Sequence, residues 1–257
     1  MSLDLSSLDL LRQIEWAAVR GWPALKTREI DGWIWRFTSG GSIRANSVAA
    51  LAYTGADIDT TIDTIEALSR ENDTPAVVTV SEASRPSDLD GRLAARGYAK
   101  GDAHMTMAKV VTAAAIPLAC KVNTSPPPGW MDAYLSGLSP DRRLIAPRLI
   151  ANLPKRTAWF VSCTTNGILT SSGLTVIDGT LASVQCMATL PGARGRGGAK
   201  AILAAIEATA LQHGATTLYL QTGGDNTAAR TLYAAMGYAV VGRYHTRAKV
   251  LAATAQT

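Results

Sequence analysis

The feature that most constrains the fold of this chain is an internal repeat. When the sequence is shifted by 140 positions, residues 93–110 align over residues 233–250 without a gap, and nine of the 18 positions are identical. The same shift places the valine-rich segment 75–82 over residues 215–222. The repeat predicts two similar α/β units in tandem. The identical residues of the first copy are Ala94, Ala95, Gly97, Tyr98, Ala99, Thr106, Ala108, Lys109 and Val110.

A glycine-rich basic stretch occupies residues 190–200, with the sequence LPGARGRGGAK, between two apolar segments. Glycines allow backbone N–H groups to turn toward an anion, and the start of a helix adds partial positive charge. The stretch therefore predicts a strand, a phosphate-binding loop and a helix. A P-loop would need Lys and then Ser or Thr after Gly197, and a dinucleotide fingerprint begun at Gly195 would need Gly or Ala where Lys200 stands. Neither motif fits.

Two other motifs do fit. The pattern Q/R-x-x-G-x-G/A is satisfied by Arg194, Gly197 and Ala199, and the pattern N-x-x-A-x-x-L-Y-x-x-x-G-[FY] begins about 30 residues later. With both motifs in this order, the chain from about Gly129 to its end resembles the GNAT superfamily of acetyl-CoA-dependent N-acetyltransferases. The second motif is carried by Asn226, Ala229, Leu232, Tyr233, Gly237 and Tyr238.

The resemblance implies acetyl-CoA as cosubstrate, bound through its pyrophosphate at the glycine loop, and no metal. It implies that the strand before the loop leaves its neighbour at a bulge, where the backbone of Met187 and Thr189 pairs with the pantetheine arm. An N–H at or beside Met187 would stabilise the oxyanion, and Tyr233 would protonate the departing thiolate. The implied cofactor-binding residues are Met187, Thr189, Arg194, Gly195, Arg196, Gly197, Gly198, Ala199, Lys200 and Asn226.

Two of these residues have alternative interpretations. Tyr233 lies in an Ala-rich helical segment, where a tyrosine is often a core residue with a hydrogen-bonded hydroxyl. Asn226 precedes that helix and is also a good helix cap.

The first copy of the repeat lacks the phosphate-binding residues. Asp57 and Asp59 stand opposite Gly197 and Ala199, and two carboxylates repel a pyrophosphate. The first half is therefore expected to keep the fold without the cofactor site.

The expected fold is α/β (α+β), with two tandem GNAT-like domains that are each a mixed, mostly antiparallel sheet flanked by helices. Residues 1–112 are predicted to form the degenerate domain and residues 129–257 the catalytic domain. Residues 113–128 are alanine- and proline-rich, which is typical of a linker.

Apolar periodicity predicts the elements of the second half. The segment 130–153 is expected to be mostly helical, with breaks at Pro140 and Pro147, and Asp178 with Gly179 is expected to form a hairpin turn. Strands are predicted over 157–163, 168–177, 180–189 and 216–221, helices over 197–212 and 227–236, and a last strand from Tyr238 onward.

The composition is that of a globular protein, with 47% apolar and 18% charged residues. The net charge of +5 agrees with a cofactor that carries phosphates, and no nucleic-acid partner is predicted. Because no apolar run could span a bilayer and the start lacks a secretory pattern, no membrane partner and a cytoplasmic location are expected. Cys120, Cys163 and Cys186 show no C-x-x-C spacing, so buried thiols are expected rather than a disulfide or a zinc site.

The general base and the acceptor are not assigned by the sequence. Residues 180–190 contain no Asp, Glu or His, which leaves Asp178, Asp225, His245, a water-relayed base or no base. The expected reaction is acetyl transfer to a primary amine of a small molecule or a peptide. The missing acid keeps a noncatalytic acyl-CoA-binding or regulatory protein as the alternative.

Aromatic residues are concentrated near the start, where four of the six tryptophans lie in the first 35 residues. Trp33, Trp35 and Phe37 would share one face of a strand. Core packing is one interpretation. The other is the wall of an acceptor site, with Arg36 and Arg44 available for a carboxylate.

Overall fold

A computed structural model describes residues 4–112 and 114–251 of the chain. These residues form one mixed sheet of thirteen strands with seven helices packed on its two faces. The first half contains α1 (Leu8–Gly21), β1 (Lys26–Ile30), β2 (Trp33–Phe37), β3 (Val48–Ala49), α2 (Ile58–Glu71), β4 (Ala76–Ser81), α3 (Leu89–Ala95), β5 (Ala99–Lys100) and β6 (His104–Val110). The second half contains β7 (Cys120–Asn123), α4 (Trp130–Ser136), α5 (Pro140–Ala151), β8 (Ala158–Thr165), β9 (Ile168–Asp178), β10 (Leu181–Ser183), β11 (Gln185–Thr189), α6 (Gly198–Gln212), β12 (Thr217–Gly223), α7 (Thr227–Ala235) and β13 (Ala239–Lys249).

The two halves of the chain exchange their last strands. The order along the sheet is β1-β2-β3-β4-β13-β6-β12-β10-β9-β8-β7, so β13 pairs with β4 and β6 pairs with β12. The repeat-equivalent residues His104 and Tyr244 stand opposite each other where β6 and β13 meet. Most strand pairs are antiparallel, and the mixed α/β fold expected from the sequence is confirmed.

Two equivalent ion pairs accompany the exchange. Lys109 on β6 reaches a carboxylate oxygen of Glu207 on α6 at 2.9 Å, and Lys249 on β13 reaches Glu66 on α2 at 3.0 Å. Each ammonium group also lies over a tyrosine ring, at 5.9 and 5.6 Å from the ring centroid. The carboxylates are almost fully buried, so each exchanged strand brings the charge that neutralises a buried acid of the other half.

The helices divide between the two faces of the sheet according to which strand residues they cover. On one face, α2 and α3 pack on β4 while α6 and α7 pack on β12, and Val78, Leu218 and Leu220 lie under them. On the opposite face, α1 covers the centre of the sheet, with Ile14 and Tyr219 in contact, and α4 and α5 cover β8 and β9. Trp33 and Trp35 lie in the core beneath α2. The core-packing interpretation of these two residues is therefore confirmed, and they do not form the wall of an acceptor site.

Most predicted elements are present within two residues of their expected bounds. One difference is Pro147, which lies inside α5 rather than breaking it. The flanking residues Ile145, Ala146, Leu149 and Ile150 are buried, and this packing holds the helix together despite the missing N–H donor.

The segment predicted as a linker contains an ordered strand, β7, which pairs with β8. Ala113 lies outside the described residues. The pairing places Cys120 opposite Cys163, with Cα atoms 4.0 Å apart, and the two are joined by a disulfide. The expectation of three unpaired thiols was therefore wrong, because strand pairing brings together cysteines 43 positions apart that show no motif in the sequence. The domain bounds 1–112 and 129–257 stay a prediction. The exchanged strands β6 and β13 each pair with strands on the other side of these bounds.

Candidate active site

The loop between β11 and α6 has the backbone of an anion-binding turn. A short 3-10 turn spans Pro191–Ala193, and Gly195 and Gly197 have φ angles of 76° and 82°. Gly197 is the residue before α6 and supplies no side-chain cap, and the first helical hydrogen bond joins the Ala201 N–H to its carbonyl at 3.0 Å. The N–H groups of the first three helical residues therefore have no intrahelical acceptor and point outward at the positive end of the helix.

Three cations surround this helix start. Arg194, Arg196 and Lys200 are exposed, and none forms an ion pair with another described residue. Arg194 donates from Nε to the carbonyl of Thr189 at 3.4 Å, which ties the loop to the end of β11. Unpaired positive charge next to uncapped amides is complementary to a pyrophosphate.

The equivalent helix of the first half is closed to anions. Asp57 precedes α2, and its carboxylate accepts hydrogen bonds from the N–H groups of Asp59 and Thr60 at 3.2 and 3.3 Å. The helix start is thus occupied by the chain's own negative charge. This geometry gives a physical reason for the prediction that only the second half binds phosphates.

The sheet opens next to the glycine loop. Ser183 on β10 is the last residue paired with β12, opposite Tyr219, and the Val184 N–H donates to the Tyr219 carbonyl at 2.8 Å. At Cys186 the backbone takes a φ of 52°, the register shifts, and β11 continues beside β9 alone. The single strand predicted over 180–189 is therefore two strands separated by a bulge, with a gap between β11 and β12.

The backbone of Met187 and Thr189 faces this gap. The Leu190 N–H donates to the Thr170 carbonyl on β9 at 2.9 Å, and hydrogen-bonding direction alternates along a strand. The polar groups of Met187 and Thr189 consequently point away from β9. The Thr189 side chain is held at 3.1 Å from the Ser171 hydroxyl, so the edge has a fixed shape.

The second motif forms α7, beside the gap. Asn226 caps the helix by accepting from the Ala229 N–H at 3.2 Å, as predicted for its capping role. Tyr233 is 8% exposed and packs edge-on against Tyr238 in the core that also holds the Met187 side chain. Burial raises the pKa of Tyr233 above its usual value, so the phenol keeps its proton at neutral pH.

The candidate bases named from the sequence lie elsewhere. Asp178 is paired with Arg20 at 2.7 Å, and His245 is paired with Asp90 at 2.7 Å. Asp225 is exposed in the loop before α7. A cleft between the two halves of the chain lies on the face of the sheet opposite to α6, and none of the three residues lines it.

That cleft lies between the two halves and has a volume of about 550 Å³. It is lined by the loop 40–46 of the first half, by the start of α5 and by the end of β12, where Gln221 and Gly223 have passed the last pairing with β10. Gln221 shares the face of Tyr219, whereas the neighbouring Leu220 points toward α6. The glycine loop and the cleft therefore approach the gap between β11 and β12 from opposite faces of the sheet.

A deeper chamber continues from the cleft and contains Glu15, which the sequence analysis missed. Glu15 is 7% exposed, and its carboxylate accepts from the Ser81 hydroxyl at 2.8 Å. Burial raises its pKa to about 7, and the nearby Glu82 acts in the same direction. The available signal was an acid four residues after Leu11 on the apolar face of α1.

Residues 4–112 and 114–251 contain neither a metal cluster nor a membrane-spanning helix. No group of three or more His, Cys, Asp or Glu side chains in these ranges is placed to hold a metal ion. Of the helices described in them, none combines the length and the apolar character needed to cross a membrane.

Comparisons with known proteins agree with this geometry. A family model described as "Probable histone acetyltransferase Rv0428c C-terminal" matches residues 9–247. The chain is 27% identical over 256 residues to "Uncharacterized N-acetyltransferase YobR" of Bacillus subtilis (strain 168), with 94% of this chain and 100% of that protein covered.

Two solved structures share the fold. A GCN5-related N-acetyltransferase from Kribbella flavida gives a TM-score of 0.70 at 13% identity, covering 95% of this chain and 97% of that one. A tandem GNAT protein from the clavulanic acid biosynthesis pathway gives a TM-score of 0.65 at 13% identity, covering 96% and 92%. Since the family model spans most of the chain, the protein belongs to this acetyltransferase family, and its fold is that of the GNAT N-acetyltransferases.

Proposed function

We propose that the chain transfers an acetyl group from acetyl-CoA to a primary amine of a small molecule or a peptide. The observation that carries this proposal is the uncapped start of α6 at Gly197, placed beside the gap between β11 and β12. A phosphate-bearing donor fits the first feature, and an extended arm with amide groups fits the second.

The donor-binding residues follow from these two features. The N–H groups at the start of α6, with Arg194, Arg196 and Lys200, would hold the pyrophosphate. The backbone of Met187 and Thr189 would pair with the pantetheine arm in the gap. Acetyl-CoA supplies an acetyl group activated as a thioester.

The transfer forms a C–N bond to the amine and breaks the C–S bond of the thioester. The N–H groups of β11 near Met187 face the gap and would stabilise the negative charge that develops on the acyl oxygen. The amine loses one proton, and the departing thiolate gains one. Tyr233 keeps its phenolic proton at neutral pH and is the proposed donor.

Glu15 is the proposed proton acceptor, directly or through water. It lines the chamber that continues the cleft, and its pKa of about 7 suits a base that works near neutral pH. On this proposal the base comes from the first half, and β11 needs no acid of its own.

The competing function is a noncatalytic acyl-CoA-binding or regulatory protein. It is favoured by the absence of Asp, Glu and His from residues 180–190. Both functions predict that acetyl-CoA stabilises the folded chain, by about 2.7 kcal/mol at 100 times its dissociation constant. Only the enzyme releases free thiol from acetyl-CoA when amines are added.

The deciding experiment measures both quantities on the full chain. Thermal unfolding with millimolar acetyl-CoA tests binding, and thiol release with a panel of amines tests transfer. Stabilisation with amine-dependent thiol release supports the enzyme. Stabilisation without turnover across the panel supports the regulatory protein, and no stabilisation contradicts both.

A further inference from the structure

The cleft between the halves is lined by positive charge from both of them. Arg44 comes from the loop 40–46 and Arg142 from the first turn of α5. The loop and α5 approach each other closely at Gly41, because a Cβ atom built on this residue would lie 3.1 Å from the Arg142 Cα. Neither arginine forms an ion pair within the part of the chain that the structure describes.

The loop that carries Arg44 is held in one shape. The Asn46 side chain donates to the carbonyls of Gly40 and Ser42 at 2.9 and 2.8 Å and accepts from the Thr38 N–H at 2.8 Å. The Arg44 guanidinium lies 5.5 Å from the centroid of the Trp22 ring. This support places the charge before any ligand arrives, which lowers the entropic cost of binding.

A third arginine lies deeper and is buried. Arg36 is 6% exposed and lines the chamber next to Arg44. Its Nε and one NH2 group donate to the carbonyl and hydroxyl of Ser47 at 2.9 and 3.0 Å, and no described carboxylate pairs with it. Burial and the neighbouring Arg44 lower its pKa to about 10. A buried guanidinium without an anion is costly, and a bound anion would relieve that cost.

The cleft and the chamber both reach β12, the strand on one side of the gap where transfer would occur. On the other side, burial raises the pKa of the Cys186 thiol on β11 to about 12, and the charges of Arg44 and Arg142 act in the opposite direction. Gln221 on β12 lines the cleft and the chamber alike. An acceptor that holds its anionic group on these arginines would have its remaining length between the two separated strands.

We propose that the cleft between the halves is the acceptor site and that the acceptor is a primary amine carrying a carboxylate, bound by Arg44 and Arg142 with Arg36 behind them. This inference rests on the proposed function. Asp141 at the exposed rim and Glu15 in the chamber are the acids of the lining. A volume of about 550 Å³ lies within the range of roughly 300–1000 Å³ typical of small-ligand sites.

The test compares amines that differ only in a carboxylate, such as phenylalanine with phenethylamine and γ-aminobutyrate with propylamine. Thermal unfolding of the full chain in the presence of coenzyme A reports binding without turnover. We expect each carboxylate-bearing amine to raise the melting temperature and its counterpart without the carboxylate to have little effect. Arg44→Gln and Arg142→Gln should remove this response, and Arg28→Gln, at an exposed position on β1, should keep it.

The kinetic arm uses any amine of the panel that releases thiol. The carboxylate should raise kcat/KM by about 10- to 100-fold, mostly through KM, because charge-assisted hydrogen bonds are formed in the ground state too. Arg44→Gln should bring the two members of a pair close to equality. Equal binding of both members, or a preference unchanged in both arginine variants, would overturn the inference. If acetyl-CoA binds but no amine of either kind releases thiol, the proposed function fails. The unfolding measurements then still show whether the cleft binds amines that carry a carboxylate.

Discussion

Replacing Glu15 by glutamine should make the protein more stable at alkaline pH and less active. The folded protein keeps the Glu15 proton up to about pH 7, whereas an unfolded glutamate releases its proton near 4.5. Between these values the unfolded chain binds fewer protons than the folded one, so the free energy of unfolding falls as the pH rises. At 1.36 kcal/mol per pKa unit, the loss approaches about 3 kcal/mol above pH 7.

A glutamine in place of Glu15 would not ionise, and its amide would still bond the Ser81 hydroxyl, so the variant avoids this loss. At pH 8 we expect Glu15→Gln to be about 3 kcal/mol more stable than the natural chain, or roughly 6–12 °C in melting temperature. At pH 4 the two should differ little, because the carboxyl is protonated in the folded state. Turnover at pH 8 should fall by about 10²- to 10⁴-fold if Glu15 is the base.

The assay is thermal or urea unfolding at pH 4, 6 and 8, followed by circular dichroism. Glu29→Gln is the matched control, since Glu29 is exposed on β1 and its replacement should change stability little at any pH. A stability difference for Glu15→Gln that is the same at all three pH values would refute the buried-carboxyl argument. If Glu15→Gln is more stable at pH 8 but its turnover is unchanged, the carboxyl is buried as described and Glu15 is not the base.

Three further predictions concern the helix start, the acid and the exchanged strands. Gly197→Val should abolish stabilisation by acetyl-CoA, because a β-branched residue is strained at a φ of 82°, whereas Asp57→Val should cost about 1 kcal/mol as a lost cap and leave acetyl-CoA binding intact. Tyr233→Phe should lower turnover by about 10²-fold with little change in acetyl-CoA affinity, and an unchanged rate of a rate-limiting chemical step would remove it from catalysis. Lys109→Met should cost about 3 kcal/mol or more in urea unfolding, because Glu207 loses its cation. Lys249→Met should cost less, because its partner acid keeps two arginines within 4 Å, and equal losses would contradict this reasoning.

The features of the fold that depend on residues close together in the chain could be predicted from the sequence. Gly197 and Asp57 mark the same position of two equivalent helices, and their chemistry alone distinguishes an open helix start from a closed one. The spacing of apolar residues predicted most helices and strands of the second half. The family resemblance implied a bulge in the strand over 180–189, but not its position at Cys186, because a non-glycine residue at positive φ leaves no mark in the sequence.

The long-range features were not accessible, for a physical reason. β6 and β13 are so alike, with Thr106 matching Thr246 and Lys109 matching Lys249, that either strand satisfies the same neighbours. Sequence similarity between the halves therefore predicts two sheets but not which strand completes each. The pairing of Cys120 with Cys163 and the placing of Glu15 in the chamber depend on the same long-range arrangement.

The exchange of β6 and β13 has a consequence for how the chain is made. β4 lies beside β13, so the first half lacks an inner strand until residues 239–249 leave the ribosome. Until then, β4 and β6 present unpaired edges, which are sites where other chains can add. The half that is synthesised first is therefore completed only after the second half has been made. Removing residues 239–249 would take a strand from the first half and leave the glycine loop of the second half with its own neighbours.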